Sequence, residues 1–124
     1  MTPRIVRVFT VDDQERFRTA ARLLVDATPG FCSAGEASSG EDGVAAVLEG
    51  DIDLVLMDVR LPGIDGIEAT RRLRLARPGT EVVLVSATAS ELPDDASEFG
   101  ALAVLAKDEL RPSVLISLWG LARP

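Results

Sequence analysis

Short apolar runs recur along this chain, and helical periodicity fills the gaps between them. Residues 5–11, 52–57, 82–85 and 102–105 are dense in Val, Ile and Leu, with hardly a polar residue inside any run. Near-continuous apolarity over four to seven residues marks a strand covered on both faces, the pattern of a parallel sheet. A fifth run, 31–36, is more polar and is expected at a sheet edge. Strands alternating with helices predict right-handed βα crossovers, hence an α/β fold with a parallel sheet and helices on both faces. With 124 residues and no repeat, linker or low-complexity stretch, the chain reads as a single domain spanning 1–124.

The helical segments have recognisable ends. Over 14–28, Phe17, Ala21 and Leu24 share one face, and Pro29-Gly30 stops the helix. A short helix over 42–48 offers Val44, Val47 and Leu48. Over 66–77 the apolar stripe is Ala69, Leu73 and Ala76. Arg71, Arg72, Arg74 and Arg77 gather toward its C-terminal end, where the helix dipole favours cations. Over 110–122 the stripe is Leu110, Val114, Leu118 and Leu121, with Pro112 tolerated in the first turn. A second stripe there, Leu115, Trp119 and Ala122, either caps the core or meets a dimer partner or a following domain. The proline-bearing stretch 90–100 predicts only a short or frayed helix.

Composition excludes several functions. Thirteen Lys and Arg against twenty Asp and Glu give a net charge of −7. Nucleic-acid phosphates repel such a surface, so no direct DNA or RNA binding is expected. The absence of histidine removes serine-triad catalysis, zinc sites of the HExxH type and any phosphohistidine carried by the chain itself. Cys32 is alone and cannot form an internal disulfide, which suits a reducing cytoplasm. The N-terminal apolar run is too short for a signal segment or a membrane span.

In open α/β sheets ligands gather beyond the carboxyl ends of the strands. There the sequence offers Asp12-Asp13 after the first strand, Asp58 after the third, Ser86 then Ala87-Thr88 after the fourth, and Lys107 after the fifth. Taken singly, each is an ordinary cap or surface residue. Together, three carboxylates repel one another unless a cation lies among them, and Lys107 is the one protein cation expected there. Hard oxygen ligands suit Mg²⁺.

Val-Asp-Asp at 11–13, the block from Leu54 to Ala69, Val-Ser-Ala at 85–87 and Leu-Ala-Lys-Asp at 105–108 resemble the receiver domain of two-component response regulators. Gly35-Glu36-Ala37 and Lys107-Asp108 look most like receivers fused to helix-turn-helix DNA-binding domains. The resemblance implies a doubly wound, flavodoxin-like sheet of five strands in the order 2-1-3-4-5. It implies phosphoryl transfer from a sensor kinase's phosphohistidine to Asp58. Lys107 and Ser86 would assist, and Mg²⁺ would be held by Asp12, Asp13, Asp58 and the backbone carbonyl of Arg60. Such a chain assists its own phosphorylation and is not a dedicated enzyme. Pro62-Gly63 and Asp65-Gly66 would make the turns that expose Asp58. The chain is either a stand-alone receiver or, as the resemblance to helix-turn-helix regulators favours, the front half of a longer regulator with an output domain after Pro124. A homodimer through the Trp119 stripe is a further expectation.

The family often couples phosphorylation to an aromatic residue on the fifth strand. Here that position is Val104, so either the aromatic is dispensable or the output face is altered. The alternative reading is a pseudo-receiver, a binding module that is never phosphorylated. Other readings fail on particular residues. Arg60 stands where a haloacid dehalogenase needs its second acid and where a calcium loop needs its third ligand. The Gly35 to Gly40 spacing runs into Glu41-Asp42, where a P-loop needs Lys and a hydroxyl.

Overall fold

A computed structural model describes residues 4–88 and 96–122. Strands β1 (Val6–Val11), β2 (Phe31–Ala37), β3 (Leu54–Asp58), β4 (Glu81–Ser86) and β5 (Ala103–Ala106) alternate with helices α1 (Glu15–Asp26), α2 (Gly40–Glu49), α3 (Gly66–Ala76) and α4 (Pro112–Ala122). The sheet has the order β2-β1-β3-β4-β5 and every pairing is parallel. The α/β sheet expected from the apolar runs is therefore present, with the polar run at 31–36 on an edge. Between β4 and β5 the described residues contain a 3-10 turn, Ala96–Phe99. The rest of the weak helix expected there, 90–95, lies outside the described residues.

Side-chain alternation sorts the core into two layers. Val6, Val8, Leu54, Leu56, Val83 and Val85 face α1 and α4, meeting Ala21, Val25 and Leu115. Phe9, Val11, Val55, Met57, Val82 and Leu84 face α2 and α3, meeting Val47, Ala69 and Leu73. One irregularity matters for the site. The register of β1 against β2 runs Val8↔Ser33 and then Phe9↔Gly35, so Ala34 is an extra residue. The bulge brings Glu36 opposite Thr10, on the α1 side of the sheet.

Two expected stripes are corrected. In α4 the fully buried residue is Leu115, with Leu118 and Trp119 packed beside it, whereas Leu121 is 71% exposed. The helix begins at Pro112, so Leu110, although buried, belongs to the turn before it, and a phase counted from Leu110 is displaced. In α3, Ala76 is exposed and Thr70 is buried instead. Its hydroxyl donates to the Gly66 carbonyl at 2.7 Å, which satisfies the polar atom inside the core.

Candidate functional site

The strand alternation that builds the core also aims the polar residues. Asp12 follows Val11, Asp58 closes β3, and Lys107 follows Ala106; all three fall in phase with the layer facing α1 and α4. Lys107 Nζ lies 2.6 Å from Asp12 Oδ2 and 3.3 Å from Asp58 Oδ2. Asp58 Oδ1 accepts the Arg60 backbone N–H at 3.1 Å, and Asp12 Oδ1 accepts that of Gln14 at 2.8 Å. Asp12, Asp13 and Asp58 each bring a carboxylate oxygen within 4.8 Å of the others. Asp12 and Asp58 are buried, and Asp13 is exposed at the mouth.

Asp58 is not exposed by its turns, as the sequence suggested. Only 6% of the residue is accessible. Pro62-Gly63 does bend the chain, with Gly63 at φ +75°, but Asp65 and Gly66 open a helix. The Asp65 side chain caps α3 by accepting the Glu68 N–H at 2.8 Å. Gly66 is needed for space, since a Cβ there would lie 1.9 Å from the Asp58 carbonyl oxygen. Burial pushes the Asp58 carboxyl from 3.8 up to about 6, and the Asp12 carboxylate adds to the push. The Arg60 N–H and the Lys107 ammonium pull the other way.

Ser86 is fully buried at the end of β4, beside Asp58 in the sheet, where Asp58 pairs with Val85. It falls in phase with Val82 and Leu84, on the α3 side. Its hydroxyl donates to the Thr88 carbonyl at 3.0 Å and meets the Thr88 N–H at 3.4 Å. Three neighbours of the site form no motif in the sequence. Gln14 Oε1 accepts from Lys107 at 3.4 Å, and the Phe17 ring centroid lies 4.5 Å from Nζ. Arg18 donates from Nη1 to the Asp12 backbone carbonyl at 2.9 Å, so Lys107 is not the only cation nearby. All three sit within two turns of the acidic pair on the same loop and helix, and that proximity was the one clue available.

A profile of the response regulator receiver domain matches residues 8–118, most of the chain. This protein belongs to that family. The Escherichia coli K12 response regulator UvrY is 35% identical over 104 residues, which covers 83% of this chain and 48% of UvrY. The receiver thus spans about half the length of the curated relatives it matches. Among solved structures, the response regulator domain of Thermotoga maritima CheB superposes with a TM-score of 0.83 at 25% identity, over 95% of this chain and 96% of that one. A LuxR-family two-component response regulator from Aurantimonas sp. SI85-9A1 gives 0.78 at 28% identity, over 94% and 86%. No described helix of the receiver is long and apolar enough to cross a membrane.

The acidic pocket of the receiver can hold a metal ion. Its donors are carboxylate oxygens, the ligand class of hard divalent cations. Asp12 Oδ2 is buried and accepts no hydrogen bond. Its contact with Lys107 is an ion pair without hydrogen-bond alignment. Two of the three clustered carboxylates share one ammonium, which leaves room in charge for a further cation. Val104 pairs with Leu84 and packs, half-buried, against the α3-side core.

Proposed function

We propose that this receiver accepts a phosphoryl group on Asp58 from the phosphohistidine of a sensor kinase, in a Mg²⁺-dependent reaction. The observation that carries the reading is the buried Asp58 carboxylate, one oxygen fixed by the Arg60 amide and the other by an ammonium it shares with a second buried acid. An Asp58 oxygen attacks phosphorus, the bond to the donor's imidazole nitrogen breaks, and that nitrogen keeps the electron pair. The chain has no histidine, so the donor arrives on another molecule. Burial favours the uncharged acid, and Lys107 holds Asp58 in the ionised form that attacks. Once the anhydride forms, Lys107 is free to turn to a phosphoryl oxygen, and Ser86 supplies a hydroxyl for another. Asp12, Asp13, Asp58 and the Arg60 carbonyl are the ligands assigned to Mg²⁺. The ion, when bound, neutralises charge on the transferring group.

The receiver is further read as the front half of a longer cytoplasmic regulator whose output domain binds DNA and controls transcription. Its match to roughly half of UvrY supports that reading. With a net charge of −7 the receiver itself repels DNA, so on this reading the DNA contact falls to the output domain. The test uses acetyl phosphate as donor and a phosphate-affinity gel as readout. Wild type shifts with Mg²⁺ and does not shift with EDTA, and Asp58→Asn shifts under neither condition. A wild type that never shifts would mean a binding module that is not phosphorylated.

A further inference from the structure

We infer that Arg18, braced by Glu36 of β2, is the positioning residue that sets the Asp12-Asp13 loop for a divalent cation; the inference rests on the cation site proposed above. Asp12 lies between the end of β1 and the start of α1, where neither ladder supplies a partner for its carbonyl. Its N–H is taken by the Ala37 carbonyl of β2 at 3.0 Å. Its carbonyl is taken by Arg18 Nη1 at 2.9 Å. The same guanidinium donates from Nε to Glu36 Oε1 at 3.2 Å. The Arg18 side chain is only 17% exposed, and Glu36 stands in its path because the β2 bulge turns it toward α1. One planar guanidinium therefore ties the loop to the edge strand in a fixed fork.

The Asp12 carbonyl and the Asp13 N–H belong to one planar peptide. With the Asp12 N–H held by β2 and its carbonyl by Arg18, the direction in which the Asp12 side chain leaves the backbone is fixed, and so is the peptide plane from which Asp13 continues. Mg²⁺ tolerates little departure from octahedral geometry, so a small rotation of this peptide is felt at the ligands. Arg18 does this without spending a carboxylate oxygen, because it meets Asp12 through the backbone alone.

Charge and position predict opposite signs, which makes the inference testable. Removing a positive charge beside an acidic pocket strengthens Mg²⁺ binding by electrostatics alone. Releasing the peptide weakens it. Arg22 is the control: Nη1 donates to Glu36 Oε2 at 3.2 Å, so Arg22→Gln removes the same charge from the same cluster without touching the Asp12 carbonyl. Titration calorimetry with MgCl₂ should show Arg18→Gln binding about tenfold more weakly than wild type, in line with the effect of other outer-sphere partners. Arg18→Lys, which keeps the charge and loses the fork, should also bind more weakly. Arg22→Gln should match wild type or bind slightly more tightly. Amide exchange at Gln14, whose N–H donates to Asp12 Oδ1, should quicken in metal-free Arg18→Gln while the melting midpoint stays near wild type. Arg18→Gln binding Mg²⁺ as tightly as wild type overturns the brace while leaving the cation site standing. A wild type that binds no Mg²⁺ overturns both.

Discussion

Each end of the parallel sheet buries aspartate, and the two ends satisfy it differently. Where the strands begin, Asp53 just before β3 is 4% accessible, and each of its oxygens accepts a hydrogen bond. Oδ1 accepts from Arg4 at 2.6 Å, a guanidinium that also lies 3.5 Å from Asp51, and Oδ2 from the Arg7 backbone N–H at 2.9 Å. Where the strands finish, Asp12 and Asp58 are buried to a similar degree but share one lysine, with a third carboxylate within 4.8 Å. A buried acid with a hydrogen bond to each oxygen is a fastener for the chain around it. Buried acids crowded around too few cations store repulsion, which a bound cation or a transferred group can relieve. Burial of an aspartate is thus a poor guide to function, and a buried carboxylate oxygen without a hydrogen-bond donor, such as Asp12 Oδ2, is a better one.

The sharpest separation of the two ends comes from glycine. At the site end, alanine at Gly66 would bring its Cβ to 1.9 Å from the Asp58 carbonyl oxygen, where backbone meets backbone. Gly66→Ala is expected to cost about 3 kcal/mol in urea unfolding, the upper part of the overpacking range, and to impair phosphorylation with it. At the other end a Cβ on Gly79 has nothing within 4 Å, so Gly79→Ala should leave stability and phosphorylation near wild type. Equal effects of the two substitutions would erase the contrast.

Next in size is the loss of the Asp53 fastener. Asp53→Asn keeps the shape but gives up the charged acceptor for Arg4 and the Arg7 amide. A cost of about 2 kcal/mol in urea unfolding is expected, the usual worth of hydrogen bonds to a charged group. Phosphorylation from acetyl phosphate by the folded fraction should be unchanged. A phosphorylation defect without a stability defect would move Asp53 from fastener to site.

The same contrast explains what could be read from the sequence. Asp12, Asp58 and Lys107 were legible because each closes an apolar run, and the two-residue alternation then carries them to one side; Asp13 was legible as the second half of the acidic tandem. Ser86 was legible in position only; the turn of its hydroxyl toward Thr88 depends on the loop after β4. Arg18, Gln14 and Phe17 were not legible, because in a helical pattern they are two surface residues and a core one. Their contacts run to a backbone carbonyl and to the Lys107 ammonium, neither of which leaves a motif. Gly66 looked like a turn former, and its actual reason, the close approach of two backbones, involves Asp58 eight residues earlier. The shift of phase in α4 has a similar origin, since a buried leucine just before the helix looks like its first core residue.

The smallest expected effect has the clearest sign. In the metal-free receiver the Asp58 carboxyl titrates near 6 in the fold, against 3.8 for the ordinary group. Between those values the unfolded chain gives up a proton that the folded chain keeps, so folding is favoured below about pH 4 and loses this contribution as pH rises through 6. Asparagine at 58 cannot ionise and escapes the loss, although it also gives up the attraction to Lys107. Above pH 7, Asp58→Asn should therefore be more stable than wild type by about 1 kcal/mol, with the difference shrinking toward pH 4. Saturating Mg²⁺ at pH 8 should raise wild type and leave the variant nearly unmoved, closing the gap from the other side. Asp53→Asn followed over the same pH range provides the opposite case, a loss at neutral pH. If the two variants shifted stability in the same direction at pH 8, the difference drawn between the two ends of the sheet would not hold.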